Sequence, residues 1–242
     1  MIDIYNKIKI FIAICLKMQT HSHQKFAFTL AEVLITLGII GVIAAMTIPG
    51  LVLKIRQQQN VTAWKKVYSE LAQSLKAMEA DNIVTSALSV SQPDREYEYA
   101  TLLSRYMKLG QVCHANRGVE EGCFPKRSAI YALDGRVLNA SGWDKLAGGA
   151  ACASLLNGGI MCFDSYILVV DVNGYAPPNK VGADIFAALV DFENYSINPA
   201  KGYRTMWGAA DDVLIKTTVG DGTCNDSDYG WGCSYYYLHN KP

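Results

Sequence analysis

From Phe28 to Leu53 the chain reads FTLAEVLITLGIIGVIAAMTIPGLVL, 26 residues with one ionisable side chain, Glu32. At ~1.5 Å of rise per residue, a helix of this length reaches ~39 Å, more than the ~30 Å hydrocarbon core of a bilayer. A core helix of a globular protein is usually shorter and keeps a polar face, so this segment is expected to cross a membrane. The average composition conceals two materials. Half of the 242 residues are hydrophobic and only 18% are charged, against ~25% in ordinary soluble domains, with the apolar excess near the N-terminus. Disorder, a collagen-like fibre and a polytopic transporter are excluded. One membrane segment carrying one exported domain remains.

The helical pattern continues past the apolar run. In KIRQQQNVTAWKKVYSELAQSLKAMEADN, apolar residues fall at Val61, Trp64, Tyr68, Leu71, Leu75 and Met78. Steps of three and four trace one stripe on a helix. The expectation is a rod of about 50 residues and ~80 Å, apolar in its first half and amphipathic in its second. Pro49 and Gly50 sit at the join. Proline lacks the backbone donor and clashes with the Ala45 carbonyl, so a kink or a melted turn is expected there.

Glu32 is the anomaly. A carboxylate within a bilayer is costly and marks function by default, with a partner to be named. No Lys or Arg lies between Phe28 and Leu53, so the chain is expected to supply no partner for Glu32 within its own segment. Either Glu32 reaches the interface from a position near the helix start, or its partner comes from another copy of the helix or from a newly made α-amino group.

Lys25-Phe26-Ala27 followed by FTLAEVLITLGIIGVIAAMTIPGL resembles the class III signal of type IV prepilins and type II secretion pseudopilins. The resemblance runs to about Asp81. It implies cleavage by an aspartyl prepilin peptidase between Ala27 and Phe28, Ala27 taking the place of the family's usual Gly, and N-methylation of Phe28. It also implies that Glu32, fifth in the mature chain, is the family's invariant assembly glutamate and that Pro49 is its helix-breaking proline. The implied partners are other copies or related pilins, the prepilin peptidase and an inner-membrane assembly platform. The implied product is a type IV pilus or a type II secretion pseudopilus.

Physical chemistry fits that expectation. If cleavage frees the Phe28 amine, the Glu32 carboxylate of one subunit can pair with the amine of its neighbour, and a subunit out of step leaves its glutamate unpaired. Leu, Ile and Val supply packing, while Gly38 and Gly41 allow close backbone approach. A head-to-tail interface that does not close gives a helical filament.

Residues 1–27 are long for such a leader. Initiation at Met18 would leave MQTHSHQKFA, closer to the short basic pattern. Lys7, Lys9, Lys17 and Lys25 precede the span and Lys54, Arg56, Lys65 and Lys66 follow it, so the positive-inside rule is nearly neutral. Cysteine usage decides orientation instead.

Of seven cysteines, Cys15 lies in the leader. The other six form three sequence-local couples, Cys113 and Cys123, Cys152 and Cys162, Cys224 and Cys233, spaced by 10, 10 and 9 positions. An even count with this spacing points to disulfides in an oxidising compartment, although six cysteines permit other connectivities. Local pairing is favoured, each loop of ~10 residues contributing about 2–3 kcal/mol. The C-terminal domain is then extracytoplasmic, anchored by a single pass in the inner membrane, and an assembled filament would lie in the periplasm or at the cell surface. No CxxC pair occurs, which argues against a zinc ribbon. Without residues 1–27 the chain has 18 basic and 21 acidic side chains. A net charge of −3 offers no nucleic-acid footprint.

The expected fold class is α+β, a long N-terminal helix with a membrane half and an amphipathic half, then a small antiparallel-sheet globular domain with disulfides. The segments are a leader over 1–27, a transmembrane half over 28–53, an amphipathic half over 54–81 and an exported domain over 82–242. Residues 83–110 read as partly helical, with Tyr97, Leu102, Leu103, Tyr106 and Leu109 as candidate core. SAIYAL and RVLNA flank Asp134-Gly135 as a hairpin suited to a type I′ turn. Ser165–Val172 and Val213–Thr218 read as strands, and Ile185–Phe192 as a strand or short helix.

Within the exported domain, VDVNGYAPPNKVGADIF (170–186) resembles a signature found in pilin-like globular domains. Asp171, Asn173 and Asp184 offer hard oxygens of the kind calcium prefers. The competing reading is an Asx-turn in which they bond local amides. Asp221, Asn225, Asp226 and Asp228 form a fainter acidic loop. For catalysis, His114 beside Cys113 suggests a Cys-His nucleophile, but local pairing with Cys123 is simpler. No Gly-rich phosphate loop or HExxH motif occurs, so the chain is not expected to be an enzyme, and a membrane-tethered hydrolase lacks its machinery. Trp143, Trp207, Trp231 and Tyr235–Tyr237 read as recognition surface or core. A signal-anchored extracytoplasmic ligand-binding protein is the alternative from another class.

Overall fold

The computed structural model describes residues 29–83, 94–115, 117–123, 129–139, 151–164, 166–174, 176–202, 223–225 and 229–240. The leader, Ala27, Phe28, Trp143, Trp207, the strand expected at Val213–Thr218, and Asp221, Asp226 and Asp228 lie outside the described residues. The chain divides into two compact units between Leu51 and Val52.

Helix α1 (Leu30–Ala80) runs through the 51 residues expected to be helical, including Pro49. The melted turn does not form. Proline's missing donor costs the ladder one bond, too little to end a helix of this length. In the first unit every described side chain is exposed except half-buried Ala44, and the helix is long and apolar enough to cross a membrane.

In the second unit, α1 buries Trp64, Val67, Leu71, Ser74, Leu75 and Met78. This is the expected stripe with Val67 and Ser74 added and Val61 and Tyr68 at its margins. The helix ends in a Schellman motif. Asn82 adopts φ 53°, the Ile83 amide donates to Met78 O at 3.1 Å and the Asn82 amide to Glu79 O at 3.0 Å. Asparagine tolerates the left-handed conformation that a chain reversal needs here.

Helix α2 (Asp94–Leu103) precedes strands β1 (Leu109–Cys113), β2 (Ile130–Tyr131), β3 (Val137–Asn139), β4 (Ala151–Leu155), β5 (Ile160–Asp164), β6 (Ile167–Asp171), β7 (Ile185–Asp191) and β8 (Ser196–Pro199), and α3 (Cys233–His239) follows. Six strands form one antiparallel sheet in the order β1-β4-β5-β6-β7-β8, and β2 pairs with β3. The region expected to be α+β is so. Ile185–Asp191 is a strand, resolving that alternative.

Both faces of the sheet are covered, which explains why β6 buries all five residues. Met161, Phe163, Leu168, Val170, Phe186, Ala188 and Val190 pack with the α1 stripe and with Ala100, Leu103 and Met107. The alternate residues Cys113, Cys152, Cys162, Val169, Ile185 and Ala187 pack with Cys123, Ile130, Val181 and Trp231. Trp231 is therefore core. Of the candidate core residues up to the start of β1, Leu103 is fully buried, while Leu102, Tyr106 and Leu109 are partly so. Tyr97 instead stacks on His114.

The β2–β3 turn departs from the expected geometry. Ala132 and Arg136 close it, the Ala132 amide donating to Arg136 O at 2.8 Å and the Gly135 amide to Ala132 O at 3.0 Å. Gly135 has φ 92° while Asp134 is not in the left-handed region. A type I′ turn needs positive φ at both central residues, so this is a three-residue loop with glycine at the bulge.

Candidate functional site

Glu32 lies in the first turn of α1. Its Oε2 accepts from the Thr29 amide and the Thr29 hydroxyl, both at 2.9 Å, and the Glu32 amide donates to Thr29 Oγ1 at 3.3 Å. This is a reciprocal capping box. The chain thus does supply Glu32 with neutral partners, a correction to the expectation of none, while no cation lies within the span. The Thr-x-x-Glu spacing before an apolar run carried that signal in the sequence.

Around Glu32 the surface is apolar, with Leu34, Ile35, Leu37, Ile39 and Ile40 all exposed. A Cβ added at Gly38, Gly41 or Gly50 would meet nothing within 4 Å. Thr36 and Thr47 turn their hydroxyls onto the helix, to Val33 O and Ile43 O, each at 3.0 Å. Glu32 is therefore the one charge between Thr29 and Leu53, and the Thr36 and Thr47 hydroxyls beside it are satisfied on the helix itself.

A second site lies where β6 ends and β7 begins. Asp171 and Asp184 are both fully buried. Asp171 Oδ1 accepts from the Asn173 amide at 3.2 Å. Asp184 accepts from the Lys180 amide at 2.6 Å, the Asn179 amide at 2.9 Å and the Asn173 side chain. These are the Asx-type bonds of the competing reading. They do not use every oxygen. Asp171 Oδ2, Asn173 Oδ1 and Asn179 Oδ1 are buried without a hydrogen-bond partner.

Burial, reinforced by the neighbouring Asp184 charge and opposed by the Asn173 and Gly174 amides, pushes the Asp171 carboxyl up to about 8. Burial likewise raises Asp184 to about 6, against its amide donors. The three residues singled out from the sequence are brought together. Asn179, held at φ 48°, was not singled out, because its approach to Asp184 depends on the turn's closure. Gly174 is also dictated here, since a Cβ would meet Gly158 O at 2.2 Å. Among the described residues no three His, Cys, Asp or Glu side chains form a metal-binding group. Any metal here would depend on carboxamide oxygens as well.

Disulfides join Cys113 to Cys123, Cys152 to Cys162 and Cys224 to Cys233. The Cys-His nucleophile is thereby removed, because Cys113 carries no free thiol. His114 stacks on Tyr97 at 3.7 Å and its Nδ1 lies 3.1 Å from both Glu121 carboxylate oxygens.

A cleft of about 290 Å³ opens between α2 and the β7–β8 turn, lined by Arg95, Tyr99, Tyr166, Phe192, Asn194 and Asn198 among others. No protein-family model, no curated protein and no solved structure matches this chain.

Proposed function

We propose that this chain is a pilin-like structural subunit, cut between Ala27 and Phe28, methylated on Phe28 and assembled through its N-terminal helix into a type IV pilus or type II secretion pseudopilus. One observation carries the reading, a lone carboxylate at the N-terminal end of an exposed apolar helix, held toward that end by Thr29. A new amine at Phe28 would arise beside the end to which the carboxylate is held. Copies packed side by side would bury the apolar surface and let Glu32 of one meet the amine of the next. The disulfides support an oxidising, extracytoplasmic location for the second unit.

Mass spectrometry of the native protein, with and without prepilin peptidase, tests this. The expected mature mass begins at Phe28 and carries one added methyl group. An intact N-terminus in cells that contain the peptidase would overturn the proposal.

The cleft beside Tyr99 and Phe192, whose rings stack at 4.3 Å, favours the second reading, a signal-anchored extracytoplasmic ligand-binding protein. That protein needs neither cleavage nor methylation, so the same mass measurement separates the two.

A further inference from the structure

The cleft between α2 and the β7–β8 turn is built from residues that filament assembly leaves unused. Its apolar wall is aromatic. Tyr99 and Phe192 stack at 4.3 Å with planes inclined by 13°, and Phe163 packs on Phe192 in turn, ring centroids 6.2 Å apart. Phe192 is buried, while Tyr99 and Tyr166 are half-buried at the cleft wall. A ring backed by buried rings is a rigid plate, offering an apolar face at little entropic cost.

The polar rim has spent its charges within the chain. Asp191 Oδ1 accepts from the Glu193 and Asn194 amides, both at 3.0 Å, and its Oδ2 from Asn194 Nδ2 at 2.6 Å. These bonds occupy the carboxylate, fix the turn and leave the Asn194 carbonyl as an acceptor. Arg95 Nη2 lies 3.5 Å from Glu96 Oε1, which answers the guanidinium charge without using its other donors, and Arg95 Nε has no hydrogen-bond partner. Asn198, exposed on β8, adds donors and an acceptor. With Asp191 held by amides, Arg95 by Glu96, and Glu193 open to water, the cleft calls for no charged guest. It sets donors and acceptors side by side against an aromatic face.

We propose that this cleft binds one neutral pyranose ring of a carbohydrate. A pyranose carries hydroxyls around its edge that each donate and accept, and C–H groups on its faces. It therefore matches carboxamide and guanidinium groups placed beside an aromatic plate. The volume of about 290 Å³ lies at the small end of ligand sites and suits one ring rather than a chain. A zwitterionic amino acid or an anion would need charges that the cleft has already paired. The inference rests neither on filament assembly nor on its anchored alternative.

The test uses the full chain in a detergent without a sugar headgroup, titrated with methyl glucoside, methyl galactoside, methyl mannoside and N-acetylglucosamine, and followed by saturation-transfer NMR and calorimetry. At least one should bind with a Kd of about 10 mM or tighter. That Kd should change less than about twofold between about 0.05 and about 0.5 M salt, since a neutral ligand has no charge to screen. Tyr99→Phe should bind as wild type does. Tyr99→Leu, which keeps apolar bulk and loses the plate, should weaken binding at least about tenfold. Arg95→Gln should weaken it about three- to tenfold, and carries the test if Tyr99→Leu does not fold. No binding of any of the four sugars up to about 50 mM would overturn the proposal. So would equal affinity in wild type, Tyr99→Leu and Arg95→Gln. Leucine or benzoate binding in preference to the sugars, and weakening with salt, would overturn it in favour of a charged ligand. None of these failures would touch the mass measurement at Phe28.

Discussion

Trp64 of α1 lies over Phe186 of β7, ring centroids 5.3 Å apart and planes inclined by 17°. The Trp64 indole also donates to Ser234 O at 3.0 Å, so one side chain ties the helix to both the sheet and α3. Asn60 Nδ2 donates to Ala183 O at 3.1 Å one turn earlier, beside the acidic turn.

Trp64→Ala should therefore destabilise the second unit by about 3–5 kcal/mol, through lost burial and the cavity left behind. Trp64→Phe should cost less, since it keeps a ring on Phe186 and loses the bond to Ser234. Urea denaturation followed by circular dichroism measures both. Equal loss from the two variants would show that the hydrogen bond, not the ring, dominates.

Cys152 and Cys162 face one another across β4 and β5 and are almost wholly buried. Replacing both by alanine should cost about 2–3 kcal/mol by the loop-entropy account. The order of the sheet should survive, because β4 and β5 remain paired by their ladder. Amide exchange in β4 and β5 reads that order, and complete loss of protection there would contradict the expectation.

For Glu32, charge and capping can be separated. Glu32→Gln keeps an oxygen to accept from Thr29 but removes the charge, and Thr29→Ala removes the hydroxyl but keeps the charge. If charge pairing drives assembly, Glu32→Gln should reduce filament yield at least about tenfold, while Thr29→Ala assembles. Electron microscopy and sheared-fraction yields would show it. The reverse pattern would assign the glutamate to capping alone.

Glu121 predicts a local pH response. Its Oε2 accepts from the His114 amide at 2.7 Å. That bond is the largest cause holding the carboxyl below its ordinary range; burial, the next largest, opposes it, and the His114 ring and Arg117 add smaller lowering contributions. A group whose pKa is lower folded than unfolded stabilises the fold above the unfolded value, and that support disappears as pH falls through the folded value. The His114 amide should thus keep its exchange protection at neutral pH and lose it progressively as pH falls below the ordinary glutamate range. Glu121→Gln should show weaker protection already at neutral pH. A wild-type protection factor that does not fall anywhere in the acid range in which the fold persists would contradict this.

Much of the molecule follows from local chemistry. The extent of α1 is legible because a long apolar run and a period of three and four are both properties of neighbouring residues. β6 is legible as a run of Ile, Leu and Val, whereas β7, IFAALVD, left strand and short helix open until the sheet paired it. The short strands β4 and β5, ACASL and IMCFD, are not, because five residues are too few to show a period and the alanines of β4 and the aspartate of β5 are depleted in strands. Helix α3, CSYYYLH, is likewise hidden among aromatics that favour strands when read alone.

The sequence by itself determined the helix, its solitary carboxylate, the local cysteine couples and the grouping of Asp171, Asn173 and Asp184, since each rests on residues close along the chain. Tertiary structure alone decided that both sheet faces are covered, that Asp171 and Asp184 are shut away from water, and that Asn179 joins them. Burial is created by distant segments closing over a site, through the β6–β7 pairing and the contact of the Asn179–Val181 backbone with Tyr131. No short stretch of sequence contains that information, because the solvent a side chain loses is removed by residues far away in the chain.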